Sequence, residues 1–249
     1  MIRWFLIGVG ILLLIILMAE GISNLGKQKM DTTEGLEIIE KAESADIAMI
    51  ENKIAGLEAS ASTGEKEEEI VDTRSLKEKF DSSVIMGDSI ALGFSEYGVL
   101  NSSSVVAEIG AQIGNEDTVK EQLEKAKEMN PQMLFLCYGV NDVKNGMTVE
   151  KFVSSYKKML TYIQEELPDT KIFVNSIFPV QTSVIAEYEN LGEIEKYNEK
   201  LREVCDDMQI AFLDNTDLVR SQDYEEDGIH FVAAFYERWA EEIAEVAEL

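Results

Sequence analysis

Residues 82–94 read SSVIMGDSIALGF, which joins a short apolar run, a glycine and the start of an amphipathic segment. The run Ser83–Met86 has the length and composition of a buried strand. Gly87 permits a tight turn, and Ser89 then falls at the start of a helix that we predict over Ile90–Tyr97. A strand that turns directly into a helix is half of a βαβ unit, so this stretch predicts a parallel sheet.

The same alternation of short apolar runs and longer amphipathic segments continues to the C-terminus. Apolar runs predict further strands at Val105–Glu108, Met133–Tyr138, Ile172–Ser176 and Ile210–Leu213. Amphipathic segments predict further helices over Glu116–Glu128, Val149–Glu166, Glu193–Met208 and Val232–Ala247. Five strands that alternate with helices predict one α/β domain with a five-stranded parallel sheet covered on both faces.

Composition excludes several classes of function. The chain has 249 residues, 22 Lys+Arg and 48 Asp+Glu, and its net charge is −26. It lacks the clustered cations that bind phosphates, so we expect no nucleic-acid partner and no basic membrane-adsorbing surface. One His and two Cys exclude multi-histidine metal sites, CxxC metal sites and a disulfide scaffold. Cys137 and Cys205 are expected to be reduced core residues.

An uncharged apolar run, Trp4–Ala19, lies between Arg3 and Glu20. At about 1.5 Å per residue it nearly spans a hydrocarbon core of about 30 Å. It predicts a single-pass transmembrane signal anchor at residues 1–20, with the α/β domain outside the cytoplasm. The alternative is a cleaved signal peptide that ends at Ala19, in which case the protein is secreted. Leu17 disfavours cleavage, because a small residue is preferred there.

Residues 21–80 are predicted to form a stalk and acidic linker ahead of the α/β domain at 81–249. Apolar residues from Leu36 to Leu57 recur at three- and four-residue spacings on a charged background, which indicates one amphipathic helix. Residues 59–69 read ASASTGEKEEE, a composition typical of a flexible, solvated linker.

Chemically active side chains follow the predicted strands. Ligands of parallel α/β sheets bind beyond the carboxyl ends of the strands. Ser89 follows the first strand, Gly110 the second and Asn141 the third, whereas His230, the single histidine, precedes the last helix. Taken singly, each residue has an ordinary structural explanation as a helix cap, a turn residue or a surface residue.

Taken together, these residues predict a site for acyl transfer. A serine needs an adjacent base to act as a nucleophile, and His230 is the only imidazole available to Ser89. Asp227 lies three residues before His230, a spacing that lets its carboxylate fix the tautomer of the ring. The Ser89 N–H, the Gly110 N–H and the Asn141 side chain supply the two or three donors that an oxyanion needs.

These motifs resemble those of the SGNH hydrolases, also called the GDSL esterase/lipase family, from Ser83 to about Ala247. Gly87-Asp88-Ser89-Ile90 is similar to the first block of the family, with Ile90 where leucine is usual. Gly139-Val140-Asn141-Asp142 matches the third block, GxND, and Asp227-Gly228-Ile229-His230 matches the last, DxxH. Gly110 is similar to the glycine of the second block, to which Gly114 can also be aligned.

The resemblance implies a three-layer α/β/α, flavodoxin-like domain. It also implies a triad of Ser89, His230 and Asp227, an oxyanion hole of Ser89, Gly110 and Asn141, and no metal or organic cofactor. We therefore expect an extracytoplasmic serine esterase that hydrolyses acetyl or other short O-acyl groups of an envelope glycan or a small ester. Two alternatives remain open: an O-acyltransferase to an envelope glycan through the same acyl-enzyme, and a non-catalytic glycan-binding or scaffolding protein.

Overall fold

A five-stranded parallel sheet lies at the centre of residues 72–249, the part of the chain that the computed structural model describes. The strands are β1 Ser83–Gly87, β2 Val105–Ala107, β3 Met133–Cys137, β4 Lys171–Asn175 and β5 Ala211–Leu213. Their order is β2-β1-β3-β4-β5, and every neighbouring pair is parallel. This flavodoxin-like order confirms the predicted parallel α/β fold.

Burial explains why the central strands read as continuous apolar runs. All five residues of β1 are buried, and β1 pairs with β3 from Ser83 opposite Met133 to Gly87 opposite Cys137. On its other side, β1 pairs with β2. The chain therefore passes from β1 to β2 on one side and later returns to β3 on the other side. The strand order reverses at this point, and a crevice opens beyond the carboxyl end of β1. Ser89 lies just after that end.

Helices connect the strands and cover the sheet. They are α1 Leu76–Lys79, α2 Ser89–Glu96, α3 Glu116–Met129, α4 Val140–Lys144, α5 Val149–Glu166, α6 Thr182–Glu187, α7 Ile194–Met208 and α8 Ala233–Ala247. Single 3₁₀ turns occur at Ser102–Ser104, Glu189–Glu193, Thr216–Leu218 and Ser221–Asp223. Helix α5 contacts α3 and α7, whereas α8 contacts α1 and α2, so the helices form two groups.

The predicted long helices and strands agree with the structure to within one residue at each end. Helix α5 has the predicted bounds because Thr148 caps its start, accepting a hydrogen bond from the Lys151 N–H, and Pro168 follows its end. The short helices α1, α4 and α6 were not predicted, because four to six residues are too few to display a helical period.

An aromatic cluster holds α8 and the chain before it against α2. The Trp239 ring lies 4.5 Å from that of Phe94 and 4.8 Å from that of Phe178, measured between centroids. Phe231, the residue after His230, is fully buried and stacks on Phe235 at 4.1 Å. This packing fixes the backbone that carries His230 relative to the helix that begins at Ser89.

The chain just ahead of residue 81, the predicted start of the domain, contacts the core. Phe80 is fully buried and packs against Phe135 at 5.9 Å between ring centroids, and α1 contacts α8. The charged residues around Phe80 concealed this core contact from the sequence pattern. Cys137 and Cys205 are buried and free, and burial raises the pKa of both thiols.

The predicted anchor at Trp4–Ala19 and the predicted stalk up to Val71 lie outside the described residues. From Asp72 to Leu249, none of the helices combines the length and the apolar character that a bilayer crossing requires.

Candidate active site

Three side chains form a hydrogen-bonded chain beyond the carboxyl end of β1. The Ser89 Oγ lies 2.8 Å from the His230 Nε2, although 141 positions separate the two residues. The His230 Nδ1 lies 2.5 Å from the Asp227 Oδ2. An ionised carboxylate only accepts hydrogen bonds, so the Nδ1 carries the proton and the Nε2 is left to accept from the Ser89 hydroxyl. The structure therefore brings the three predicted residues together in the order that the prediction required.

Asp227 is held by the turn that it begins. Its Oδ1 accepts hydrogen bonds from the backbone N–H groups of Ile229 and His230, each at 2.9 Å. Partial burial opposes ionisation of this carboxyl, but the hydrogen bonds from the His230 ring and from the two backbone amides outweigh it. Together they hold the pKa of Asp227 below its ordinary value. One carboxylate thus orients both the backbone and the ring of His230.

The start of α2 presents the Ser89 amide as a free donor. Asp88 caps the helix, because its Oδ1 accepts from the Ile90 N–H at 2.9 Å. Within residues 72–249, the Ser89 N–H donates no hydrogen bond. Gly87 makes the close turn possible: a Cβ at this position would lie 2.3 Å from the carbonyl oxygen of Cys137.

The structure distinguishes between Gly110 and Gly114 as sources of a backbone donor. Gly110 has a φ of +76°, and its N–H has no partner in the described part of the chain. The Gly114 N–H donates to the Asp142 Oδ1 at 3.0 Å, so it is already used. Of the two glycines that fit the second block, Gly110 is therefore the one with a free amide.

Asn141 connects the loops that carry Ser89 and Gly110. Its Nδ2 donates to the Ala111 carbonyl oxygen at 3.2 Å and to the Asp88 Oδ2 at 3.3 Å. A carbonyl oxygen can only accept, so the Ala111 carbonyl selects the nitrogen end of the Asn141 amide for this side. Both hydrogen bonds are long and therefore weak, so redirecting one N–H towards a stronger acceptor costs little interaction energy.

Two buried carboxyls support these loops, and the sequence analysis assigned neither a function. Burial raises the pKa of Asp88 to about 7 and that of Asp142 to about 6, although backbone N–H groups bond to both. Asp142 accepts from the Ile113 and Gly114 amides and so closes the loop after β2. Their positions in the sequence could have indicated a supporting role, since Asp88 precedes the predicted site residue Ser89 and Asp142 follows Asn141.

This arrangement has the parts for nucleophilic acyl transfer: a hydroxyl bonded to a base, an acid that orients the base, and free N–H donors nearby. Between residues 72 and 249, no three His, Cys, Asp or Glu side chains are grouped in a way that suits a metal ion.

Comparisons with known proteins identify the family of this chain. The model of the GDSL-like lipase/acylhydrolase family matches residues 85–238, a range that contains all five predicted site residues. A multidomain esterase from Ruminococcus flavefaciens is 30% identical over 125 residues, which are 47% of this chain and 16% of that protein. An N-acylneuraminate cytidylyltransferase from Streptococcus agalactiae serotype V is 27% identical over 155 residues, 60% of this chain and 35% of that protein.

The chain thus spans about a sixth and about a third of the lengths of these two relatives. Among solved structures, a GDSL-like lipase from Bacteroides thetaiotaomicron superposes with a TM-score of 0.55 at 15% identity, over 68% of this chain and 88% of that one. This likeness concerns the fold. Because the family model covers more than half of the chain, the protein belongs to the GDSL-like lipase/acylhydrolase family, the SGNH hydrolases.

Proposed function

We propose that the protein is a serine esterase that hydrolyses O-acyl esters through an acyl-enzyme on Ser89. The observation that carries this proposal is the continuous contact from the Ser89 Oγ to His230 and on to Asp227, at 2.8 and 2.5 Å. Membership of the acylhydrolase family supports the same reaction class.

In the first half-reaction, the Ser89 Oγ attacks the carbonyl carbon of the ester, and its proton passes to the His230 Nε2. The oxyanion that forms accepts hydrogen bonds from the free N–H groups of Ser89 and Gly110 and from the Asn141 amide. His230 then returns the proton to the leaving alcohol, and the acyl group remains on Ser89. In the second half-reaction, water attacks the acyl-enzyme with His230 as base, which releases the carboxylic acid and restores the serine.

We further propose that the acyl group is acetyl or another short chain. Behind the nucleophile, a cavity lined by Asp88, Ile90, Cys137 and Trp239 measures only about 20 Å³. That space is comparable to one water molecule, so the interior here has no room for an alkyl chain. A short acyl group is therefore the one that suits the space beside Ser89.

The proposed substrate is an O-acylated envelope glycan or a small ester, and the proposed location is outside the cytoplasm, tethered through Trp4–Ala19. The apolar N-terminal run supports the tether. The partners are then the ester substrate and the membrane.

Replacing Ser89 with Ala in the full-length protein tests the reaction. We expect hydrolysis of p-nitrophenyl acetate to fall by at least about 10³-fold, because Ser89 carries the only hydroxyl within residues 72–249 that bonds to the His230 ring. Circular dichroism and the melting temperature should be unchanged. Ser82→Ala is the matched control, because Ser82 is exposed and its hydroxyl makes no contact with His230.

A fluorophosphonate probe provides an independent test, since it should label wild type and Ser82→Ala but not Ser89→Ala. Full hydrolysis by folded Ser89→Ala would refute the proposal. A wild-type protein that takes no label would favour the non-catalytic alternative. Turnover that accelerates on addition of a sugar acceptor, with transfer of the acyl group to it, would indicate the transferase.

A further inference from the structure

A polar cleft lies next to the turn that carries His230. Its two sides are residues 179–183, which follow β4, and residues 219–224, which follow β5, and its volume is about 490 Å³. Small-molecule sites commonly have volumes of this order, roughly 300–1,000 Å³. Both sides come after the carboxyl ends of strands, as Ser89 does, so the cleft belongs to the edge of the sheet where ligands bind. None of the site residues described above lines it.

Hydrogen bonds connect this cleft to the turn with Asp227 and His230. The Gln181 N–H donates to the Gly228 carbonyl oxygen at 2.9 Å. The Tyr224 hydroxyl donates to the Pro179 carbonyl oxygen at 2.8 Å, which joins the two sides of the cleft. Tyr224 also pairs, through an antiparallel bridge, with Phe231, the residue after His230. The walls of the cleft are therefore fixed to the turn that carries the base.

Among the described residues, Arg220 is the only charged one that lines the cleft. The other arginines from Asp72 to Leu249, at positions 74, 202 and 238, each form an ion pair with an aspartate, but Arg220 forms none there. The nearby Asp223 does not neutralise it. Its Oδ2 is bonded to the Arg238 guanidinium at 2.6 Å and accepts only the backbone N–H of Arg220.

Neutral polar groups complete the cleft. The side chains of Gln181, Thr182, Ser183 and Ser221 line it, and none of them forms a hydrogen bond within the described part of the chain. In a chain with 48 Asp+Glu residues, the absence of a carboxylate from the described lining is informative. A cleft with one unpaired guanidinium, free hydroxyl and amide groups and no acid among its described residues fits an anionic polyol better than a neutral or cationic ligand.

We propose that this cleft binds an anionic oxygen group, a carboxylate or a phosphate, on the alcohol part of the ester, with Arg220 as its direct partner. This inference rests on the proposed esterase function and names its substrate class: an O-acylated acidic sugar. Arg220 holds the charged group through paired N–H donors, and the neutral side chains of the cleft bind the sugar hydroxyls. The ester bond of the same molecule then reaches Ser89 across the turn that both sites share.

The test compares three acetylated substrates with the same sugar ring: methyl glucoside, methyl glucuronide and methyl glucoside 6-phosphate. Full-length wild type is measured beside Arg220→Met, with Arg202→Met as the matched control on a paired arginine outside the cleft. Arg220→Met should raise KM for an anionic substrate at least about 3-fold with kcat unchanged, because Arg220 is exposed and solvent partly screens its pairing with the anion. Hydrolysis of the neutral glucoside should not change.

The three substrates also identify the anion. A KM increase confined to the glucuronide assigns a carboxylate, one confined to the phosphate assigns a phosphate, and an increase for both assigns a general anion site. An equal effect on the neutral substrate, or the same effect from Arg202→Met, would overturn the inference and leave the esterase intact. If Ser89-dependent hydrolysis is absent for all three substrates and for p-nitrophenyl acetate, the proposed function itself fails.

Discussion

Replacing Asp227 with Asn isolates the contribution of one atom to the proposed chemistry. The amide oxygen of the new side chain can still accept from the Ile229 and His230 amides, which bond to Asp227 at 2.9 Å, so the turn keeps its backbone contacts. The change falls on the atom that faces the His230 Nδ1, 2.5 Å away in the wild type, where an acceptor becomes an N–H donor. Two donors cannot face each other at that distance, so the ring proton moves from the Nδ1 to the Nε2.

The consequence reaches Ser89 through the ring. A protonated Nε2 donates to the Ser89 Oγ, 2.8 Å away, and can no longer accept its proton. In a serine triad this wrong tautomer lowers kcat about 10⁴-fold, which is about 5 kcal/mol of activation free energy. Stability should hardly change, because the Asp227 side chain is 48% exposed and the backbone acceptor remains.

The assay is kcat for p-nitrophenyl acetate with the full-length protein, read together with the melting temperature. Asp227→Ala should lose the same activity but melt lower, because it also removes the acceptor for two backbone amides. Asp217→Asn, at an exposed position in another loop, should match wild type. If folded Asp227→Asn keeps more than about a tenth of the wild-type kcat, Asp227 does not set the tautomer and the reasoning is wrong.

The remaining predictions concern Asn141 and the two buried carboxyls. Asn141→Ala should lower kcat about 10²–10³-fold, the value of one oxyanion donor. Asp88→Ser keeps an acceptor for the Ile90 N–H, but its side chain is too short to reach Asn141. It should therefore lower kcat less than Asn141→Ala does, and it should cause no further loss of kcat in the Asn141→Ala background. Additive losses in the double variant would contradict a role of Asp88 through Asn141. The last prediction concerns pH. The pKa values of Asp88, about 7, and Asp142, about 6, lie above those of the unfolded chain, so the folded protein binds more protons between about pH 4 and 7. Stability is therefore highest at the acidic end of that range and falls as the pH rises through the folded pKa values. The melting temperature should fall between about pH 5 and 8, less steeply for Asp88→Ser, and a rise over this range would refute the assignment.

Local patterns in the sequence were sufficient for the strands, the long helices and part of the site. Strands buried on both faces are mainly apolar, so the central residues of β1, β3 and β4 were visible as runs. The long helices were visible because one face of each is buried and the other solvated. The orientation of His230 by Asp227 was predictable for a similar reason: the two residues belong to one turn, and their spacing alone sets the contact.

Tertiary structure decided everything that depends on residues far apart in the chain. The Ser89–His230 contact exists because the aromatic cluster on α8 fixes Phe231, and with it His230, against the helix of Ser89. The choice of Gly110 over Gly114 depended on which amide Asp142 occupies. The unpaired guanidinium of Arg220 became visible only when the partners of the other arginines were known. A sequence lists donors and acceptors, but which of them meet is set by how the sheet and helices pack.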